Sequence, residues 1–277
     1  MMNKRFSEHV ENKKNLFIPF IVAGDPDNET TIELALKLES AGADAIELGI
    51  PYSDPLADGP VIQAASARAL KKGMTLEKAI TLVSSMRKKG LKIPVVIFTY
   101  YNLLLQLGLE RFFALMSEND VDGLLVPDLP FEESEELRKK CKAENITYIS
   151  LVAPTTSEVR LKEIVSEAQG FLYCVSSLGV TGTRSEFHPS VYTFLTNVRK
   201  YAKIPVAVGF GVSQPEQIEQ LKDHCDGVIV GSAIVKQIGE RENKLLKEET
   251  RMEALEEVFQ YVCSLTEPNR RLVNDRR

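Results

Sequence analysis

Eight short apolar runs recur along the chain, most of them followed by a longer amphipathic stretch: LFIPFIVAG near 16, DAIELGI near 44, IPVVIFTY near 93, DGLLVPD near 122, ITYISLVAP near 146, GFLYCVSS near 170, IPVAVGFG near 204 and DGVIVGSA near 226. Helices between strands impose parallel pairing through right-handed crossovers, and runs apolar at nearly every position belong to strands covered on both faces. Eight such units predict an α/β fold, a closed (β/α)8 barrel forming one domain over residues 1–277. An open, doubly wound sheet is the competing architecture, and it usually carries a glycine-rich nucleotide turn after its first strand. Here the first turn reads AGDPDN, with neither GxGxxG nor GxxxxGK[ST].

Spacing adds detail to the barrel. An extra helix is expected at the N-terminus, and two helical segments, roughly 60–72 and 75–89, fill the long gap after the second strand. Met252, Leu255, Phe259 and Val262 recur at helical spacing, which predicts a final helix closing on the barrel wall, with a frayed tail from about residue 266.

Composition narrows the function classes. With 34 Lys plus Arg against 39 Asp plus Glu, the net charge of −5 argues against nucleic acid as a partner, and 44% hydrophobic residues exclude a disordered chain. No stretch approaches ~20 consecutive apolar residues, so no membrane partner is expected. The charged start MMNKRFSEHVENKKN lacks the apolar segment of a secretory signal, so a cytoplasmic location is expected. Cys141, Cys174, Cys225 and Cys263 are scattered without a CxxC, which suggests small core residues and no zinc or disulfide framework.

Barrels place chemistry at the C-terminal ends of their strands. The polar residues falling there are Asp25, Glu47, Tyr100, Asn102, Asp128 and Tyr173, an acidic and phenolic set. Glu47 interrupts an apolar strand. Period two puts it on one face with Ala45 and Gly49, which directs its carboxyl into the barrel mouth beside small residues that leave room for a ligand. Burial there raises a carboxyl pKa, as a general acid and base near neutrality requires. The structural alternative is a buried glutamate hydrogen-bonded to a loop.

Asp54 and Asp58 follow in a loop stiffened by Pro51, Pro55 and Pro60, from which Asp58 can reach back to face Glu47; the alternative is that Asp58 caps the helix beginning near Pro60. Gly179, Thr181 and Gly182, then Gly209-Phe210-Gly211, then Gly231-Ser232 come directly after the last three runs. A lone glycine serves equally well in a turn. Three clusters in adjacent loops, one opening a helix, predict a site for a phosphate dianion and hence a phosphorylated small-molecule substrate.

No lysine lies inside any run, since Lys92 and Lys203 precede strands, so a Schiff-base aldolase is disfavoured. His9, His188 and His224 lie far apart, and no metal site is expected. Two carboxylates must then suffice, with the substrate supplying its own electron sink.

Five motifs carry a family resemblance: Pro19-Phe20 with Gly24-Asp25-Pro26, the stretch ELGIPYSDPLADGP from Glu47 to Pro60, Gly179-Val180-Thr181-Gly182, Gly209-Phe210-Gly211-Val212, and Gly231-Ser232-Ala233. With them the chain resembles the tryptophan synthase α-subunit family over nearly its full length. That resemblance implies a lyase of L-tryptophan biosynthesis that splits indole-3-glycerol phosphate into indole and glyceraldehyde 3-phosphate by a retro-aldol reaction. Glu47 takes the position of the acid and base at indole C3, and Asp58 the position that holds the indole N–H. Phe20 would form an apolar wall of the indole pocket, Tyr173 would stand beside Glu47, and Gly182, Gly209, Gly211, Gly231 and Ser232 would hold the phosphate, with Tyr100, Thr181 and Phe210 as further expected substrate contacts. The resemblance implies no cofactor in this chain, a pyridoxal-phosphate β subunit as partner in an α2β2 heterotetramer, and Asp54 and Pro55 at that interface. Two other readings stay open on sequence: another phosphate-binding barrel enzyme, such as a sugar-phosphate isomerase, and a non-catalytic allosteric subunit.

Overall fold

The computed structural model describes residues 3–175, 187–209 and 211–274. Nine strands form one all-parallel sheet: β1 (Leu16–Val22), β2 (Ile46–Gly49), β3 (Val95–Phe98), β4 (Gly123–Leu125), β5 (Thr147–Tyr148), β6 (Ser150–Val152), β7 (Leu172–Val175), β8 (Val206–Gly209) and β9 (Gly227–Val230). Their order is β5-β4-β3-β2-β1-β9-β8-β7-β6. The two ends of that order, β5 and β6, are separated in the chain by Ile149 alone, so the sheet begins and ends on one segment and closes into the expected barrel.

Eight apolar runs become nine strands because the fifth is interrupted. Thr147 and Tyr148 pair with β4, whereas Ser150 to Val152 pair with β7. β1 is unbroken; its Leu16 to Pro19 align with β9 and its Phe20 to Val22 with β2. Every residue of β1, β2, β3, β4, β8 and β9 is buried, which is why these runs read as continuously apolar.

The two helices expected after the second strand are Pro60–Lys71 and Leu76–Lys88. Pro60 sits in the first turn, where its fixed φ suits the helix and its missing N–H costs nothing. At the other end of the chain Glu248–Asn274 forms the closing helix. Its buried stripe is Leu255, Val258, Val262 and Leu265, so the sequence expectation is corrected in two places. Met252 is 62% exposed, and Phe259 is half-buried beneath the Lys37 ammonium, 5.1 Å from its ring centre. The expectation for the tail from about residue 266 falls largely on side chains outside the described set. No helix among the described residues is long and apolar enough to cross a membrane.

The expected N-terminal helix, Lys4–His9, plugs the barrel floor. Phe6 is fully buried, and a Cβ added at Gly123 or Gly170 would lie 3.2 or 3.0 Å from its ring, so these two glycines make its socket. Arg5 anchors the same helix to Asp120 and, at 2.9 Å, to the buried Asp122, which also pairs with Arg87 and accepts the Val95 N–H at 2.9 Å. Removing a fully buried phenyl ring costs about 3–5 kcal/mol. Phe6→Ala is therefore expected to lower stability by about that amount, and urea unfolding checks it; a loss under about 1 kcal/mol would mean that the plug does not hold the floor.

Candidate active site

At the opposite end of the barrel, where the strands finish, lies a cavity of about 540 Å³. Glu47 of β2 forms its floor. Register places Glu47 beside Phe20 of β1 and Val96 of β3, all on the inner face. Its carboxyl is fully buried, and neither oxygen has a hydrogen-bond partner among the described residues. Burial alone pushes its pKa up to about 8. Among the described residues, no loop supplies the hydrogen bond that the structural alternative requires. The small residue Gly49 does not leave empty space, however: an added Cβ would lie 2.3 Å from the Phe20 ring, so the glycine seats that phenyl. Phe20 in turn meets Phe98 edge to face, with ring centres 5.4 Å apart, and both line the cavity.

Asp58 lies on the wall of the same cavity. It does not cap the following helix; the N-cap is Gly59 and makes no side-chain bond, while the Asp58 carbonyl accepts from Gln63 Nε2 at 2.8 Å. Burial raises the Asp58 carboxyl pKa, partly offset by the Tyr100 hydroxyl that faces it. Tyr100 also accepts the Ala57 N–H at 3.1 Å, and Tyr52, which packs on its ring at 5.1 Å, receives a bond from Asn102 at 3.3 Å. Tyr100 and Asn102 thus hold the Asp58 loop in place, and neither belongs to the described cavity wall.

Tyr173 of β7 is buried in the cavity, its pKa raised first by burial and then by the charges of Glu47 and Asp58, which places the phenol near both acids. A Cβ at Gly209 would lie 2.2 Å from the Tyr173 hydroxyl, so Gly209 makes room for that ring, a role sequence reasoning did not assign. The remaining strand-end acids are committed elsewhere. Asp25 is clamped by Arg68 at 2.7 and 2.9 Å, and Asp128 accepts the Tyr101 N–H at 3.0 Å.

Beyond Tyr173 the cavity ends against backbone. Gly211 has φ +86° with nothing within 4 Å of an added Cβ, and Gly231 opens the helix Ser232–Glu240 without a side-chain cap. The first bond of that helix runs from the Val235 N–H to the Gly231 carbonyl, so the amides of its first turn project from the end lined by Gly231, Ser232 and Ala233. Thr181, Gly182 and Phe210 lie outside the described residues. Sequence reasoning missed Phe98, hidden inside an apolar run, and Lys236, the one cation on the described wall. The four-residue spacing from Ser232 to Lys236 puts both on one helix face and could have revealed the lysine.

Asp54 is exposed beside the Ser53 hydroxyl at 2.5 Å, Pro55 is half-buried, and Leu56 is 81% exposed. These residues stand at the outer edge of the Asp58 loop.

Residues 6–263 match the family described as Tryptophan synthase alpha chain. The tryptophan synthase alpha chain of Shouchella clausii is 60% identical over 267 residues, covering 96% of this chain and 98% of that one. The corresponding chain of Bacillus subtilis is 56% identical over 261 residues, covering 94% and 97%. Among solved structures, a chain of the tryptophan synthase α2β2 complex from Pyrococcus furiosus superposes with a TM-score of 0.83 at 40% identity, covering 92% of this chain and 99% of that one.

Proposed function

The chain belongs to the tryptophan synthase alpha chain family and is a carbon–carbon lyase of L-tryptophan biosynthesis; from that premise we propose that indole-3-glycerol phosphate is cleaved here between Glu47 and Asp58. The indole ring lies against Phe20 and Phe98. Glu47, still protonated at neutral pH, gives its proton to indole C3. The ring becomes an indolenine whose positive nitrogen is stabilised by the Asp58 carboxylate. The resulting Glu47 carboxylate takes the proton from the adjacent glycerol hydroxyl, the C–C bond breaks, and its electron pair returns to the ring. Indole and glyceraldehyde 3-phosphate leave, and the proton taken from the hydroxyl already leaves Glu47 ready for the next turnover. No cofactor is needed in this chain, because the protonated indole is itself the electron sink.

The observation that carries this reading is a fully buried carboxyl with no partner for either oxygen among the described residues, held near pKa 8 in a cavity that also holds Asp58. We assign the phosphate to the backbone amides at Gly211, Gly231 and Ser232, together with Thr181, Gly182, Gly209 and Phe210, and to the field of Lys236. The partner in this reading is a pyridoxal-phosphate β subunit in an α2β2 assembly, met through Asp54, Pro55 and the exposed Leu56, and the setting is the cytoplasm. Solved relatives that are chains of an α2β2 complex support it. Relatives at 56 and 60% identity, all of one activity by name, do not favour an isomerase or a purely regulatory subunit.

The test is incubation with indole-3-glycerol phosphate, alone and with a β subunit and serine. Glyceraldehyde 3-phosphate is expected in equimolar amount with indole, or with tryptophan when the partner is present. Binding of a glycerol-phosphate analogue without any cleavage, even with the β subunit, would overturn the proposal.

A further inference from the structure

The loop that follows β8 is shaped by two side chains from outside it. Gln217 is buried, 3% exposed, and among the described residues its carboxamide makes four bonds to a single turn. Its Oε1 accepts the N–H of Ser213 at 2.8 Å, the N–H of Gln214 at 3.0 Å and the hydroxyl of Ser213 at 3.2 Å, while its Nε2 donates to the Gly211 carbonyl at 3.0 Å. From the C-terminal helix, Tyr261 donates its hydroxyl to the Ser213 carbonyl at 3.0 Å, and its ring lines the cavity.

Gln217 and Gln214 together form the capping box of the short helix Pro215–Leu221. Of Gln217's bonds, capping accounts for the one to the Gln214 N–H. The other described ones reach back across the turn, and Tyr261, arriving from a different helix, has no capping duty at all. Their joint effect is to draw the Ser213 and Gln214 amides into Gln217 and to tie down the Gly211 and Ser213 carbonyls, so neither carbonyl oxygen is free to swing toward an anion. Gly211, at positive φ with open space around it, is left facing the cavity with Val212.

We propose that Gln217 and Tyr261 are positioning residues that set the Gly211–Ser213 turn in the one shape that receives the phosphate of the substrate. The proposal rests on the assignment of this cavity end to the phosphate. Without the two clamps the turn has other conformations open to it, and each binding event must first order it. The cost then falls on recognition of the phosphate and spares recognition of the ring.

Two ligands separate those ends: glycerol 3-phosphate, which has no ring, and indole, which has no phosphate. Titrations use the full chain and its variants Gln217→Leu and Tyr261→Phe. Loss of one neutral hydrogen bond is worth about 5-fold, so Tyr261→Phe is expected to weaken glycerol 3-phosphate by about that factor, and Gln217→Leu by about 10²-fold. Indole affinity should stay within about twofold of the wild type, and KM for indole-3-glycerol phosphate should rise by more than kcat falls. If thermal stability drops while the ratio of the two affinities stays at the wild-type value, the residues are merely structural and the proposal fails. If Gln217→Leu does not fold, Tyr261→Phe decides alone. A wild-type chain that binds indole but no glycerol 3-phosphate would overturn the phosphate assignment itself, a result distinguishable from failure of the two clamps.

Discussion

Glu47→Gln is expected to bind glycerol-phosphate ligands as the wild type does and to lose about 10²–10⁴-fold in turnover, the range a positioned acid–base group supplies. The carboxamide matches the carboxyl in size, so the cavity keeps its shape, but it has no proton to give to C3 and cannot take one from the hydroxyl. Single-turnover release of indole checks this; undiminished release would remove Glu47 from the chemistry. The same substitution has a second signature. In the folded chain Glu47 keeps its proton up to about pH 8, whereas in the unfolded chain it gives the proton up near the ordinary value of 4.5. The folded state therefore holds the extra proton between those limits, and stability falls as pH climbs through that window. At about 1.4 kcal/mol per unit, the fall amounts to a few kcal/mol. Glu47→Gln has no such proton to lose, so its unfolding midpoint should gain on the wild type between pH 5 and pH 8. For the wild type, kcat/KM should decline above about pH 8 as the acid is lost.

Asp58→Asn is expected to cost about 10²–10³-fold in kcat with little change in KM. An asparagine oxygen can still accept from an indole N–H, so the ground state is held, but the full negative charge opposite the developing indolenine is gone. Electrostatic stabilisation of this kind grows as water is displaced, and the Asp58 side chain is already half-buried before substrate enters. Steady-state kinetics of the variant decide the point. A loss confined to KM would make Asp58 a binding group only, and near-normal kinetics would reduce it to a member of the Tyr100 loop clamp.

The barrel was legible because strands buried on both faces leave an unbroken apolar signature at regular spacing, and Glu47 was legible because it breaks that signature. The interruption at Ile149 was not, since Tyr148, Ile149 and Ser150 carry no turn chemistry and the break arises from which neighbour each half pairs with. Tyr100 and Gly209 fall at strand ends as expected, but neither is on the described cavity wall. What they do there depends on contacts between segments distant in sequence: a phenol behind the Asp58 loop, and a glycine emptied for the Tyr173 ring. Phe98 gave no signal, because an aromatic that faces a ligand and one that faces the core look alike within an apolar run. On the closing helix the true stripe includes Val258 and Leu265, so the expected face was rotated by a fraction of a turn and swept in Met252 and Phe259.

The partner changes along β1 and between β5 and β6 lie on opposite sides of the ring and divide it into two arcs. Glu47 and Asp58 stand in the arc from β1 to β5, whereas Tyr173, Gly211 and Gly231 stand in the arc from β6 to β9. A molecule that spans the cavity between Glu47 and Gly231 ties these two arcs together. Occupancy should therefore slow amide exchange along β1 and β6 more than on the outer helices.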